Sequence, residues 1–360
     1  MRSFLAALAL TSVSAMQTKD FLDRLVNGFS PIEIEVDGTK NTYYVAADFS
    51  SGDVSQYQCP PNGRGYVSTV PSLDYNSDQY FKPNLLGGSI EWDVDLSSHE
   101  CGCIAAFYTV SMPGKDDSGN YWWSTDSWGY CDANQVAGNR CPEFDLMEAN
   151  KWSWATTAHH CDSPSSVGHY YNCDRGGLGL NIVDKLSWSD YGPGDNYAIN
   201  TLQEFHAKVS FDADDSGNFK SFSTTFTQNG NTKTMWADSS YYGMGSDIAN
   251  GMGLVISNWG GDASWLWHDR CYGSCNWPEL SIKNIKITTG GVTPGPGPGP
   301  GPTPAPYNPD DYAFGNQCAD VSNCTDLCSC PSNDHCKWSW AWSDPGQWAG
   351  DTARCRCDIV

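Results

Sequence analysis

The segment Cys141-Pro142-Glu143-Phe144-Asp145-Leu146-Met147-Glu148-Ala149-Asn150 carries three carboxylates in six positions. Glu143 and Asp145 are two apart, so on a β-strand they share one face while Phe144 and Leu146 point into a core. Regular alternation puts Glu148 on the core side. One extra residue near Leu146-Met147, a β-bulge, returns it to the face of the other two. Three acids side by side are costly for structure alone, because like charges raise one another's pKa. The arrangement suits cleavage of a glycosidic bond. The retaining mode takes two carboxyls about 5–5.5 Å apart, one ionised as nucleophile and one protonated as acid/base. A third acid between them can hold a proton and keep the nucleophile oriented. On spacing alone, a solvated acidic strand or a calcium site are the alternatives.

Strand patterns continue on both sides of this segment. Ser89–Leu96 and Glu204–Phe211 alternate with period two, as half-buried strands do. Ile104–Met112 and Met252–Trp259 are near-continuous apolar runs, which fits strands covered on both faces. Turn signals at 214–217 and 228–231 divide Phe205–Phe211, Phe219–Thr227 and Lys233–Ala237 into an antiparallel meander. Helical periodicity is weak; Thr18–Val26 is the one plausible short helix. The expected fold is all-β, a large two-sheet antiparallel sandwich.

Composition narrows the functional classes. The chain has 360 residues and a net charge of −22, which repels phosphate backbones and argues against a nucleic-acid partner. Hydrophobic residues at 39% are too many for a disordered chain. Gly176-Gly177-Leu178-Gly179 lacks the strand–helix context of a nucleotide loop, and no nucleophilic-serine motif occurs. No cofactor and no metal are expected.

The motif Glu-x-Asp-x-x-Glu, as Glu143, Asp145 and Glu148, resembles the one shared by glycoside hydrolase families 7 and 16. Met147 before the last Glu is closer to family 16; the surroundings are closer to family 7. His159 and Cys161 follow the last Glu as in family 7. Trp92–Asp95, Cys101-Gly102, Ala106–Met112, Gly129–Asp132, Gly253–Trp259 and Trp265–Asp269 resemble its segments in order, from about residue 85 to 285. Ile104, Asn134 and the single Cys141 depart from its pattern. The resemblance implies a jelly-roll, concanavalin A-like sandwich with a substrate cleft. It implies Glu143 as nucleophile, Asp145 as assisting acid, Glu148 as acid/base, and His159 near the cleavage point. Trp259 and Trp267 would be sugar platforms, and Tyr108, Tyr130 and Asp132 would line the cleft. Indole suits the flat C–H faces of β-1,4-linked glucose. The implied activity is retaining hydrolysis of cellulose or a related β-glucan. The module is short beside the tunnel-forming cellobiohydrolases of the family, which favours an open cleft and internal cleavage. A β-1,3 or mixed-linkage glucanase, a transglycosylase and a non-catalytic, lectin-like glucan binder are the alternatives.

The ends carry other signals. Met1-Arg2 precedes an apolar run and small residues at Val13-Ser14-Ala15, the pattern of a secretory signal over 1–15. No other stretch approaches a membrane span. A secreted monomer is expected, so its 16 cysteines read as disulfides. The Gly-Pro run at 293–306 is a semi-stiff spacer between a catalytic module at 16–292 and a small module at 307–360. Nine cysteines precede the spacer and seven follow it. Either each module keeps a free thiol or one bridge joins them. The small module needs such staples to fold. Its Trp338, Trp340 and Trp342 alternate, so three indoles can form one face for a glucan surface or pack as a mini-core. It also holds the sequon Asn323-Cys324-Thr325.

Overall fold

Where the sequence alternates between apolar and polar residues, the chain forms strands. The computed structural model describes residues 29–46, 56–71 (backbone alone at 56–58), 79–121, 129–136, 138–240, 242–261 and 263–291, and the backbone of 336–339 and 354–357. The Thr18–Val26 helix expectation lies outside these residues. The chain divides into two units, Met1–Pro296 and Gly297–Val360, with the division inside the Gly-Pro run. No helix among the described residues is long and apolar enough to cross a membrane.

The first unit holds β1 (Phe29–Val36), β2 (Thr39–Ala46), β3 (Gln56–Cys59), β4 (Gly63–Ser68), β5 (Ser89–Asp95) and β6 (Cys103–Val110). They are followed by β7 (Glu143–Ala149), β8 (Trp154–His159), β9 (Leu178–Asn181), β10 (Tyr191–Gly192) and β11 (Ile199–Asn200). Last come β12 (Phe205–Ala213), β13 (Phe219–Gln228), β14 (Asn231–Asp238), β15 (Gly253–Gly260) and β16 (Leu280–Thr288). The meander is β12 to β14, joined in antiparallel register. Its second turn places Asn229 and Gly230 both at positive φ (49° and 83°), the tight hairpin turn that Asn-Gly favours.

The strands run β14-β13-β12-β5-β16-β1-β2-β4-β15-β6-β7-β8-β9, with β3 also paired to β16. This ladder folds over on itself. Phe144 of β7 packs on Phe211 of β12 and Phe222 of β13, with ring centroids 4.8 and 5.2 Å apart. Trp154 of β8 stacks on Trp92 of β5 and meets Phe226 of β13 edge-on. The two leaves thus enclose one apolar core. A second cluster, including Tyr108, Val255 and Trp267, covers the opposite face of β6 and β15. The near-continuous apolar runs have this cause: Ala105 and Phe107 enter the first cluster, while Ile104 and Ala106 enter the second.

Two details differ from the sequence expectation. The leaves belong to one continuous hydrogen-bonded order, and β1 runs parallel to β16. Both follow from β16, which pairs β3 through Leu280–Lys283 and β1 at Lys286 and Ile287. Its ladder to β5 is interrupted between Lys283 and Lys286. Asn284 sits there at φ 52°, a left-handed conformation that Asn tolerates. The short helices α1 (Ile182–Lys185), α2 (Gly245–Asn250) and α3 (Ser264–Trp267) are only four to six residues long, too few to show a period.

Eight of the nine cysteines pair as Cys101–Cys271, Cys103–Cys275, Cys131–Cys141 and Cys161–Cys173. The ninth, Cys59, is a free thiol with no exposed surface. Burial pushes this thiol far above its ordinary pKa, so little reactive thiolate forms. A thiol alkylating agent at neutral pH is expected to label Cys59, mapped by peptide mass, only after the first unit is unfolded. Rapid labelling of the native protein would contradict this burial.

In the second unit, β17 (Cys336–Ser339) and β18 (Arg354–Cys357) form an antiparallel pair, with Trp338 opposite Cys355. Trp340 and Trp342 lie outside the described residues.

Candidate active site

The three acids lie on β7, between β6 and β8. On β6, Phe107 faces Met147 and Tyr108 faces Asp145, so Leu146 is skipped. On β8, Thr157 faces Asp145 and Ala155 faces Glu148, so Leu146 and Met147 together oppose one residue. This is the β-bulge the spacing called for. Leu146 and Met147 are both fully buried in the sandwich core, leaving Glu143, Asp145 and Glu148 to the other face. A buried polar node supports the distortion: Thr156 Oγ1 donates to Leu146 O at 3.0 Å. It accepts from Trp154 Nε1, and it lies 2.7 Å from the Thr224 hydroxyl. A fully buried carbonyl without a partner would cost about 1–3 kcal/mol.

The acids are not equivalent. Glu143 Oε2 accepts the Ala133 N–H at 3.0 Å. Ala133 is held by a short loop closed by the Cys131–Cys141 disulfide, and Arg140 Nη1 donates to Ala133 O at 2.9 Å. Asp145 Oδ2 lies 3.0 Å from His159 Nε2. The other ring nitrogen, Nδ1, donates to Asp174 O at 2.8 Å, which fixes the ring and turns Nε2 toward the acids. Burial disfavours a charged His159. The hydrogen bond to Asp145 and the charges of Asp145 and Glu143 outweigh it, and the ring is held at about 10. Burial, then the charges of Asp145 and Asp132, push Glu143 well above the usual glutamate range; His159 and the Ala133 N–H pull it back. Burial and Asp145 push Glu148 up too, opposed by His159 alone. The two glutamates are therefore held differently: Glu143 has a fixed backbone donor for its charged form, and Glu148 is raised with no such donor to oppose it.

Glu143, Asp145 and His159 each place a ligand-type atom within 4.8 Å of the others. A cation could be caged there only if His159 gave up its proton, since in its charged form both ring nitrogens are donors.

Beside the acids, Tyr108 Oη lies 3.1 Å from Tyr130 Oη, and Tyr130 Oη donates to Asp132 Oδ2 at 2.7 Å. All three residues are buried. Arg64 of β4 is itself exposed and lays its guanidinium 3.8 Å from the Tyr130 ring centre. Trp259, next to last in β15, is half-buried against the second cluster. Trp267 is 6% exposed on α3 and packs in the same cluster as Ala155, the cross-strand partner of Glu148. Its indole borders a cavity of about 610 Å³, with Tyr272 and Trp277 on the outer wall, 83% and 45% exposed.

No protein-family model matches the chain. Endoglucanase EG-1 of Hypocrea jecorina is 30% identical over 277 residues, covering 67% of this chain and 58% of that enzyme. Endoglucanase 1 of Humicola insolens is 25% identical over 280 residues, covering 62% and 69%. Among solved structures, an endoglucanase I complexed with cellobiose superimposes with a TM-score of 0.57 at 19% identity, over 74% of this chain and 98% of that one. A family 7 cellobiohydrolase from Daphnia pulex gives 0.55 at 19% identity, over 74% and 97%. The chain belongs to glycoside hydrolase family 7. It spans less than two thirds of the length of the Hypocrea relative.

Within this family 7 chain the structure gathers Glu143, Asp145, Glu148 and His159 on one face of β7 and β8. Tyr108, Tyr130 and Asp132 form a hydrogen-bonded row beside them. Sequence reasoning missed three neighbours. Arg64 reads as a lone cation between two glycines. Ala133 contributes a backbone N–H, which no side-chain motif reveals. Asp174 contributes only its carbonyl, brought to His159 by the loop that the Cys161–Cys173 disulfide closes.

Proposed function

We propose that this chain is a secreted, retaining endo-β-1,4-glucanase. The observation that carries this reading is the unequal treatment of the two glutamates on one strand: Glu143 accepts a fixed backbone N–H, and Glu148 is raised by burial without one. Glu143 attacks the anomeric carbon as Glu148 gives its proton to the departing glycosidic oxygen. A glycosyl ester on Glu143 results. Glu148, now ionised, takes a proton from water as that water attacks the same carbon and frees Glu143. Asp145, bridged to His159, orients the nucleophile. Charged His159 offsets negative charge around the acids.

Arg64, Asp132 and the row of Tyr108 and Tyr130 are proposed to meet sugar hydroxyls. Trp259 and Trp267 are proposed as platforms, with Tyr272 and Trp277 beyond them. The relatives named endoglucanases support internal cleavage of a glucan, and four disulfides support an oxidising, extracellular setting. The second unit, with Trp338, Trp340 and Trp342, is proposed to bind the insoluble glucan surface.

The test is product analysis on cellulose, mixed-linkage glucan and laminarin, with viscosity followed on a soluble cellulose derivative. Viscosity is expected to fall early, while reducing ends are few. Cellobiose accumulating at constant viscosity would overturn endo action. Cleavage of laminarin alone would overturn the β-1,4 assignment.

A further inference from the structure

A cavity of about 220 Å³ opens where β6 ends and the approach to β7 begins, lined by Ser111, Lys115, Tyr121, Arg140, Gly168 and Tyr170 among others. The chain has twice as many acidic as basic residues, 42 against 20, yet no Asp or Glu lines this cavity. Lys82 also borders it. Neither Lys115 nor Arg140 has a carboxylate partner among the described residues. Arg140 spends one nitrogen on Ala133 O. The Lys115 ammonium lies 5.2 Å from the centre of the Tyr121 ring.

The surroundings hold these cations in place. The Lys115 carbonyl accepts His169 Nδ1–H at 2.7 Å, which pins the loop. The Lys115 side chain crosses Gly168, where a Cβ would lie 3.2 Å from Nζ, and Gly168 has φ +88°. A larger residue there would be strained and would crowd the ammonium. The cavity is tied to the site already described: Arg140 Nη1 holds the Ala133 carbonyl, and the same residue's N–H holds Glu143.

Half-exposed aromatic rings beside Lys115 and Arg140 suit an acidic sugar. The rings offer faces to pyranose C–H groups, and the cations pair with an anion. We propose that this cavity receives an anionic substituent, a C6 carboxylate or a sulfate ester, carried by a glucan chain lying in the cleft. The inference rests on the glucanase reading and extends it to decorated chains. On a protein of net charge −22, a local pair of cations is what lets such a chain approach despite the general repulsion.

Binding tests this directly. The full-length Glu143→Gln variant is titrated calorimetrically with cellotetraose, with a tetrasaccharide carrying one glucuronate unit, and with one carrying an O6 sulfate. At low salt the anionic chains are expected to bind about fivefold tighter than the neutral one, the scale of one partly exposed ion pair. That ratio is expected to fall toward one in the Lys115→Gln double variant, to persist in Lys115→Arg, and to shrink in high salt. Preference for carboxylate over sulfate, or the reverse, identifies the substituent. If neutral and acidic chains bind alike, the proposal fails and the glucanase reading stands. An advantage that survives Lys115→Gln removes it from this cavity. If none of the three chains binds, the glucanase reading fails and the proposal with it.

Discussion

Glu143→Gln is expected to leave the fold and glucan binding intact while hydrolysis falls on the order of 10⁴-fold or more, as when a covalent nucleophile is removed. The amide keeps an oxygen for the Ala133 N–H, which reaches Glu143 at 3.0 Å in the native protein, so the loop closed by Cys131–Cys141 keeps its anchor. It also relieves a crowd of charges, because the Asp145 and Asp132 carboxylates both act against an ionised Glu143. The variant lacks only an oxygen able to bond to the anomeric carbon. Kinetics on a soluble β-1,4-glucan beside calorimetric binding separates these effects. Loss of binding in parallel with activity would point to a structural role, and full activity would remove Glu143 from the mechanism.

Glu148→Gln is expected to behave differently, and the difference assigns the two roles. Against a polysaccharide, whose leaving alkoxide needs a proton, the loss is about 10²–10⁴-fold. Against an aryl glycoside with a good phenolate leaving group, the first bond-breaking step needs no proton and stays near wild type. Turnover then stalls at the glycosyl ester, visible as a burst of phenol. Equal losses on both substrates would sink the acid/base assignment. The same variant carries a signature in stability. Burial and Asp145 raise Glu148 above its ordinary value of 4.5 in the folded chain, so the folded state binds more protons than the unfolded state as pH rises from there. Wild-type stability therefore declines with increasing pH through the raised value, and the Gln variant does not share that part of the decline. Thermal unfolding over a pH series should show the variant gaining on wild type above about 4.5 and matching it below. An unchanged difference across pH would mean that Glu148 ionises as freely folded as unfolded.

Much of the scaffold is legible from local pattern because it obeys local rules. The alternation in Ser89–Asp95 and Phe205–Phe211 emerges as β5 and β12, since a strand with one covered face needs that period. Asn229-Gly230 makes its turn because positive φ is cheap there. The bulge at Leu146-Met147 is legible for a subtler reason. Two consecutive apolar residues between acids leave the strand no other way to bury both and keep Glu148 out of the core. Other features have no local cause. The continuity of the two leaves runs through β16, which β3 and β1 both pair with, on either side of Asn284, and no short stretch of sequence records that meeting.

The sequence by itself determined the strand content, the two faces of β7 and the presence of three acids on one of them. Each of these depends on residue type and on spacing shorter than a strand. Tertiary structure alone decided how those acids differ. The Ala133 N–H, the Asp174 carbonyl and the rings of Tyr108 and Tyr130 come from separate loops and strands. Their effect on a proton falls away within a few ångströms, so it depends on where the chain returns in space. Cysteine arithmetic divides in the same way. The odd count was on the page from the start, but only packing made Cys59 the buried, unpaired one.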